Sequence, residues 1–320
     1  MLVYRGFPQT VPAPTALTIG NFDGLHLGHR ALLQRLKALA QSGGLRPAVL
    51  SFEPHAREFF SPQTAPVRLS TLREKLELIA SEGAALTCVC RFDARFAALS
   101  AEEFIERLLV RSLQVKHLLI GDDFRFGAGR QGDQAMLRAA GAHYGFQVEA
   151  MDSLLVDGLR VSSSAVRSAL AEGRMADAAR LLGRPYAMDG RVVTGRQLGR
   201  QLGVPTANIR VRHRKLPLRG VFAVEVHGPS GGPYQGIANV GHRPSIENES
   251  IPLLEAHLFD FSRDLYGSHL SVRFLHKLRE ETRFPNLEAL KAQIAADIKE
   301  AKSFFTAKAQ RREGRKENAC

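Results

Sequence analysis

The first half of the chain alternates short apolar runs with longer amphipathic runs, and this pattern sets strict limits on its fold. Residues 16–20 (ALTIG) have the character of a strand, and the segment HRALLQRLKALAQSG that follows has the period of a helix. Strand-like and helix-like segments continue in the order PAVLSF, TLREKLELIASEG, LTCVCRF, EEFIERLLVRSL, VKHLLIG and QAMLRAAGAHYG. Such spacing is typical of parallel strands joined by crossover helices. We therefore predict an N-terminal α/β domain with a doubly wound parallel sheet, whose ligands bind at the carboxyl ends of its strands.

The pattern changes near residue 185. Short β-branched and aromatic runs such as GVFAVEVHG and HLSVRFLHKL are then separated by Gly, Pro and Asn, which predicts a small antiparallel β-barrel. The segment after Asn286 returns to a helical period, with Asn286 as its N-cap, and predicts a C-terminal helix. We predict domains over 1–184 and 185–305, followed by a basic, frayed tail over 306–320.

Composition narrows the class of protein. A chain of 320 residues that is 44% apolar can bury the cores of two domains. It has no unbroken apolar run of about eighteen residues and no secretory signal pattern, so we expect a cytoplasmic protein without a membrane partner. Cys88 and Cys90, two apart in an apolar stretch, are interpreted as reduced core thiols.

The net charge of +12 fits either nucleic-acid binding or polyphosphate substrates. Because basic residues do not alternate with aromatic ones, we expect no nucleic-acid partner.

The string GNFDGLHLGH lies between the first strand and the first long helix. A glycine-containing turn before a helix presents free backbone N–H groups and a partial positive charge, which favours an anion. His26 and His29 are three residues apart and can face the same point, while Gly28 leaves room for a nucleotide. Two imidazoles there can stabilise the charge of a phosphate under attack. The alternatives are ordinary polar loop residues or an incomplete metal pair.

A second hydroxyl-rich segment precedes another helical run. It runs from Arg160 through Ser163 and Ser164 to Arg167. Serines at a helix start can be simple caps. Together with exposed N–H groups and an arginine one turn later, they can also bind a triphosphate.

The β-rich half contains the glycine-rich basic string GRQLGRQLGVPTAN, which begins at Gly195. A flap from Gly195 to Gly203 could close over phosphates. Thr206 and Asn208 offer neutral oxygens on one face of an extended chain, which suits Mg²⁺, although a plain turn is the alternative. Farther on, alternation in LLEAHLFDF places Glu255 on the same face as His257 and two phenylalanines. A carboxylate there could orient an attacking hydroxyl and accept its proton.

Four strings of the first half resemble a known family. GNFDGLHLGH resembles the HxGH nucleotidyltransferase superfamily, in the form found in FAD synthetases of the bifunctional riboflavin kinase and FAD synthetase family. VLSFEPHAREFF is similar to that family's FEPHPREFF, with Ala56 in place of the usual proline, and LLIGDDFRFGAGRQGD is similar to its GxDFRFGxxxxGD. The segment 160–167 is similar to its ISSTxxR, with Ser164 in place of threonine.

Three strings of the second half resemble the riboflavin kinase part of the same family. GRQLGVPTANI is similar to GRxLGFPTAN, with Val204 in place of phenylalanine, and GIANVGHRPSI is similar to ANVGxRPTF, with Ser245 in place of threonine. LLEAHLFDFSRDLYG is similar to VEVHLLDFxxDLYG, in which Glu255 takes the place of the family's catalytic carboxylate.

The resemblance implies an enzyme that phosphorylates riboflavin to FMN and then adenylylates FMN to FAD with release of pyrophosphate, using ATP and Mg²⁺ or another divalent cation. Another HxGH adenylyltransferase and a non-catalytic nucleic-acid-binding protein are the alternatives, and self-association is left open. The candidate residues are, for catalysis, His26, His29, Arg167 and Glu255; for ATP, Gly20, Asn21, Phe22, Asp23, Gly28, Asp123, Arg160, Ser163, Ser164, Gly195 and Gly203; for flavin, Phe52, Pro54, Phe60, Phe124 and Phe126; and for metal, Thr206 and Asn208. For each of Phe124 and Phe126, core packing is the alternative.

Overall fold

A computed structural model describes residues 1–195, 203–229, 231–243 and 251–317. Contacts divide the chain into two compact units. The first unit comprises Met1–Pro66 and Ser70–Ser163, and the second comprises Val67–Leu69 and Ser164–Cys320. The division between the large segments thus falls earlier than the predicted boundary after residue 184.

A six-stranded parallel sheet forms the centre of the first unit, in the order β1-β4-β3-β2-β5-β6. Its strands are β1 (Leu2–Arg5), β2 (Thr15–Ile19), β3 (Arg46–Glu53), β4 (Leu86–Arg91), β5 (Val115–Gly121) and β6 (Gln147–Met151). All five residues of β2 are buried, as expected for a central strand covered on both faces. The predicted doubly wound sheet is confirmed, and the structure adds the edge strands β1 and β6.

Helices cover both faces of this sheet. They are α1 (Leu27–Ser42), α2 (Ala56–Phe60), α3 (Leu72–Ser81), α4 (Ala94–Ala97), α5 (Ala101–Glu103), a π-helix (Phe104–Ser112) and α6 (Gln134–Tyr144), and a short hairpin of β7 (Leu155–Val156) and β8 (Leu159–Arg160) follows β6. Thr71 and Asp133 cap α3 and α6 with their side chains. Cys88 and Cys90 are buried in one of the two hydrophobic cores as free thiols, as predicted.

A closed antiparallel barrel dominates the second unit, as predicted, in the order β10-β13-β12-β11-β14-β9. Its strands are β9 (Tyr186–Val193), β10 (Ala207–Val211), β11 (Gly220–Gly228), β12 (Gly231–Arg243), β13 (Ile251–Leu258) and β14 (His269–Arg279). Two helices, α7 (Ser163–Ala171) and α8 (Met175–Leu182), precede the barrel. Because α8 packs on β9 and β14, these helices group with the barrel, which explains the earlier division of the chain.

A C-terminal helix (Leu287–Glu317) packs on the outer face of the barrel. Asn286 caps it as predicted, since its side-chain oxygen accepts the backbone N–H of Ala289 at 2.8 Å. The basic tail predicted over 306–320 begins within this helix, and its fraying stays a prediction. Phe305 is buried against the barrel and Lys308 Nζ donates to Glu225 Oε1 at 2.7 Å, so the helix stays anchored beyond residue 305.

Among the described residues, no helix combines the length and apolarity needed to cross a membrane.

Candidate active sites

The first site lies where the chain changes direction across the parallel sheet. β2 is flanked by β3 and β5, and the chain leaves β2 toward β3 but later enters β5 on the other side. In open α/β sheets, ligands bind beyond the carboxyl ends of strands at such a switch point. The loop that carries the two histidines follows β2, and the loop that carries Asp123 follows β5. The topology therefore brings these two predicted segments to the same crevice.

His26 and His29 come together at the first turn of α1. His26 is the N-cap, and its Nδ1 accepts the backbone N–H of His29 at 3.3 Å. The two imidazole rings stack with their centroids 3.7 Å apart. A Cβ on Gly28 would lie 3.2 Å from Nδ1 of His26, so a side chain at this position would crowd the stacked ring. The histidines therefore face one point, as their spacing indicated.

Burial and nearby positive charge disfavour the protonated form of His29. Burial lowers the pKa of His29 well below its usual range, and the positive potentials of His26 and Lys75 lower it further. Its Nδ1 atom is buried and has no hydrogen-bond partner within the described part of the chain. Buried polar atoms without partners are rare, so this nitrogen sets His29 apart from an ordinary structural histidine.

The loop before the histidines is held by internal contacts. Asp23 is buried, and its carboxylate accepts hydrogen bonds from the backbone N–H (3.0 Å) and hydroxyl (3.2 Å) of Ser70. The Phe22 side chain is fully buried, with its ring 5.0 Å from that of His29. A Cβ on Gly20 would meet the Phe22 ring at 3.2 Å. Phe22 and Asp23 thus shape the loop with their side chains, while Asn21 is exposed.

The hydroxyl-rich segment reaches the same loop. Ser163 Oγ donates to the backbone carbonyl of Asp23 at 2.9 Å. Arg160 pairs with Asp123 at 3.0 Å, which links this segment to the loop after β5. Ser164 and Arg167 belong to the second unit, where Arg167 Nε donates to the carbonyl of Val67 at 2.6 Å.

The predicted flavin contacts differ in exposure. Phe126 is buried against Phe104, with ring centroids 5.1 Å apart, which favours core packing for this residue. Phe124 stacks on Phe126 at 5.8 Å and is partly exposed. Phe52 is half-buried among aromatic rings, and Phe60 is 64% exposed. Pro54, after β3, is also partly exposed.

The second site lies on the outer face of the barrel. Glu255 on β13 is directly opposite Asn208 on β10 and opposite Asn239 on β12, so two asparagines flank the carboxylate. A Cβ on Gly195 would overlap the side-chain amide of Asn208. Glycine at this position therefore leaves space for that amide. Residues 196–202 of the predicted flap and Ser245 lie outside the described residues, whereas Gly203 is described and has φ of +75°.

A cavity of about 380 Å³ opens beside Glu255. It is lined by Thr206, Glu255 and His257. Val204 and Ile237 supply apolar walls, and Leu290 and Ile294 of the C-terminal helix also line the cavity. The cavity therefore combines the Glu255 carboxylate with neutral oxygens and apolar surface.

Five polar or charged residues that line this cavity were not predicted from the sequence: Asn239, Arg279, Glu281, Thr282 and Asp297. Asn239 stands in the string GIANVG, so its place in that motif could have revealed it. Arg279 makes a partly buried bidentate ion pair with Asp297, with its closest contact at 2.8 Å. No local signal identifies that pair, because its partners lie 18 residues apart on different elements.

Comparisons with known proteins decide between the alternatives. A family model described as FAD synthetase matches residues 9–165, and one described as riboflavin kinase matches residues 182–305. The bifunctional riboflavin kinase/FMN adenylyltransferase of Escherichia coli K12 is 48% identical over 308 residues, which cover 95% of this chain and 98% of that protein. The chain belongs to the bifunctional riboflavin kinase/FMN adenylyltransferase family. The enzyme of this name from Pseudomonas fluorescens is also 48% identical and covers 92% of this chain and 94% of its own length.

A solved structure has the same overall fold. It is a crystal structure from Streptococcus pneumoniae, named as a macrolide-efflux protein, with 26% identity and a TM-score of 0.80. The similarity covers 93% of this chain and 97% of the streptococcal one.

Membership of the bifunctional family assigns both activities to this chain. Riboflavin is phosphorylated to FMN by the riboflavin kinase part, which contains Glu255, and FMN is adenylylated to FAD by the FAD synthetase part, which contains the two histidines. A different HxGH adenylyltransferase would account for the first part alone.

Proposed function

We propose that the His26–His29 pair is the centre of adenylyl transfer and that the cavity beside Glu255 is the centre of riboflavin phosphorylation. The stacked imidazoles at the start of α1 support the first assignment, because they place donors and a helix N-terminus at the switch point of the sheet. The position of Glu255 between Asn208 and Asn239, at the cavity wall, supports the second.

In adenylyl transfer, a phosphate oxygen of FMN attacks the α-phosphorus of ATP. A new P–O bond forms, the bond to the bridging oxygen breaks, and pyrophosphate leaves. Backbone N–H groups of α1 and the neutral His29 imidazole donate hydrogen bonds to the phosphate oxygens as charge develops. Ser163, Ser164 and Arg167 are assigned to the triphosphate, Arg160 and Asp123 to the nucleotide, and Phe60, Phe124 and Pro54 to the flavin.

In riboflavin phosphorylation, the primary hydroxyl of the ribityl chain attacks the γ-phosphorus of ATP. Glu255 orients this hydroxyl and accepts its proton while ADP leaves. The apolar walls of the cavity, from Val204 and Ile237, suit a flavin ring.

The donor atoms near Glu255 fit a divalent cation. Thr206 and Asn208 would hold it through neutral oxygens, which are ligands that Mg²⁺ accepts. In the described ranges, no three or more His, Cys, Asp or Glu side chains are arranged so that they could hold a metal ion by themselves. Mg²⁺ does not need such a group, because it keeps waters and phosphate oxygens as ligands. When bound, the ion would neutralise phosphate charge.

The buried thiols Cys88 and Cys90 suit a reducing compartment, and the cytoplasm remains the predicted location.

Replacement of His29 tests the first centre. His29→Ala is expected to reduce FAD formation from FMN and ATP by about 10²–10³-fold, as loss of one preorganised donor does. Chromatography of the flavins measures both activities in the same protein, and riboflavin phosphorylation should stay within about two-fold of the unmodified enzyme. His143→Ala, an exposed histidine on α6, is the matched control. Equal loss of both activities in His29→Ala would refute separate centres.

Replacement of Glu255 tests the second centre. Glu255→Gln keeps the shape of the side chain but cannot accept the proton, so kcat for riboflavin phosphorylation should fall by about 10²–10⁴-fold. FAD formation from supplied FMN should be unaffected. Glu300→Gln, an exposed residue on the C-terminal helix, controls for the loss of one carboxylate. Unchanged kinase turnover in Glu255→Gln would exclude this residue as the base.

A further inference from the structure

Two arginines face each other on neighbouring strands of the barrel. Arg210 on β10 is directly opposite Arg191 on β9, and both residues are exposed. The Cα atoms of residues directly opposite each other on antiparallel strands lie about 4.5–5.5 Å apart, so like charges at such positions repel each other. Arg191 is in turn opposite His269 on β14, which is also exposed. Basic residues therefore lie side by side across three neighbouring strands.

Few carboxylates are available to balance this arginine pair. Within the described ranges Arg210 makes no ion pair, and Arg191 Nε donates to the backbone carbonyl of Gly267 at 2.8 Å. β9 and β10 together contain one acidic residue, Asp189, which is half-buried. The connection from β10 to β11, residues 212–219, contains four more Lys or Arg residues and no acidic one. This part of the barrel surface therefore carries an excess of positive charge.

The arginine pair adjoins the candidate kinase centre. Arg210 follows Asn208 by two residues on β10, and Asn208 is opposite Glu255. Ile209 and Val211 are 3% and 8% exposed, so the alternate residues of β10 face the core. Arg210 and Asn208 thus lie on the outer face of the strand, with their Cα atoms about 6.7 Å apart. A phosphate bound beside Asn208 is within reach of the long arginine side chain.

We propose that Arg210 and Arg191 are substrate-binding residues of the kinase centre, which hold the triphosphate of ATP beside Asn208. The proposal rests on the assignment of riboflavin phosphorylation to the cavity beside Glu255. Guanidinium groups bind phosphate oxygens through two parallel hydrogen bonds, and the phosphate charge offsets the repulsion between the two arginines. The cations of residues 212–219 add a positive potential that attracts ATP to this side of the barrel.

Arg210→Gln tests this proposal in the full-length enzyme, because glutamine removes the charge and the guanidinium but stays polar. The KM for ATP in riboflavin phosphorylation should rise by roughly ten-fold or more, as expected for the loss of a charged hydrogen bond. The kcat and the KM for riboflavin should stay within about two-fold. Arg210→Lys keeps the charge and should recover most of the affinity for ATP. Arg138→Gln, which removes an exposed arginine from α6, is the matched control and should change neither KM.

The other activity of the same protein is an internal control. FMN adenylylation also consumes ATP, but the histidine pair belongs to the first unit. Its KM for ATP should therefore stay within about two-fold in Arg210→Gln. Added salt should lower kcat/KM for ATP in the kinase reaction more steeply in the parent than in this variant, because salt screens the attraction between ATP and the arginines.

Thermal unfolding separates substrate binding from a structural role. Without nucleotide, Arg210→Gln should unfold at the same temperature as the parent or at a higher one, because it removes the repulsion from Arg191. A structural role for Arg210 predicts a lower unfolding temperature instead.

Arg191→Gln should also raise the KM for ATP of the kinase reaction. An unchanged KM in both Arg210→Gln and Arg191→Gln would overturn the proposal, and so would an equal rise in the KM for ATP of both reactions. If Glu255→Gln abolishes kinase turnover while neither arginine variant affects ATP, only the role of the arginine pair fails. If Glu255→Gln has no effect, the location of the kinase centre fails, and the proposal fails with it.

Discussion

At the scale of single residues, each site contains a glycine whose missing side chain leaves room for a functional group. Gly28 borders the His26 ring, and Gly195 borders the Asn208 amide. The φ angle of neither glycine lies in the left-handed region, so backbone strain does not require glycine at these positions. Glycine is needed at these two positions for the space that it leaves beside the neighbouring side chain. Substitution by alanine tests this, because it adds only a Cβ atom.

Gly28→Ala is expected to reduce FAD formation by about ten-fold or more, because its Cβ would press on the His26 ring and disturb the stacked pair. The ring can shift by a few tenths of an ångström, so thermal unfolding should change little. Gly195→Ala is the reciprocal control, since it should lower riboflavin phosphorylation and leave FAD formation intact. Loss of the same activity in both variants would contradict the assignment of two centres.

At the scale of elements, one ion pair attaches the C-terminal helix to the barrel at the wall of the cavity beside Glu255. Arg279 at the end of β14 and Asp297 on the helix are 22% and 3% exposed, and Gln293 Nε2 donates to the same carboxylate at 2.9 Å. The Arg279 guanidinium also lies 5.5 Å from the centre of the Phe284 ring. These contacts fix the wall of the cavity that the helix provides.

Asp297→Ala should destabilise the second unit by about 3–5 kcal/mol, because it leaves the Arg279 charge without its buried partner. Urea unfolding followed by circular dichroism measures this loss, and riboflavin phosphorylation should fall with it. The double variant Arg279→Met, Asp297→Leu should recover most of the stability, since an apolar pair replaces the charges. A single variant as stable as the parent would show that the pair does not hold the helix.

The sequence predicted those elements and site residues that depend on local pattern. A few neighbouring residues are enough to predict the strands, the cap at Asn286 and the proximity of His26 and His29. They are not enough to predict the supporting contacts, because Arg279 and Asp297 lie 18 residues apart and Lys308 and Glu225 lie 83 apart. The second of these contacts was not predicted, since the basic composition after residue 305 does not reveal an acidic partner on β11.

At the scale of the whole molecule, the two reactions are linked by FMN, the product of one centre and a substrate of the other. Glu255, Asn208 and Asn239 lie within the second unit, and the histidine pair lies within the first. We therefore expect the histidine pair and Glu255 to act independently of each other. The net charge of +12 also favours the polyphosphate and flavin phosphate substrates of both centres.

A mixture of two inactive variants tests this independence. Neither His29→Ala nor Glu255→Gln should convert riboflavin to FAD alone, because each lacks one step. Mixed together with riboflavin and ATP, they should form FAD after a lag in which FMN accumulates, since FMN released by the first variant can bind the intact histidine centre of the second. The lag should shorten as the concentration of Glu255→Gln rises, which flavin chromatography over time measures. A mixture that accumulates FMN without forming FAD, while Glu255→Gln still adenylylates added FMN at higher concentration, would mean that FMN passes between centres only within one molecule.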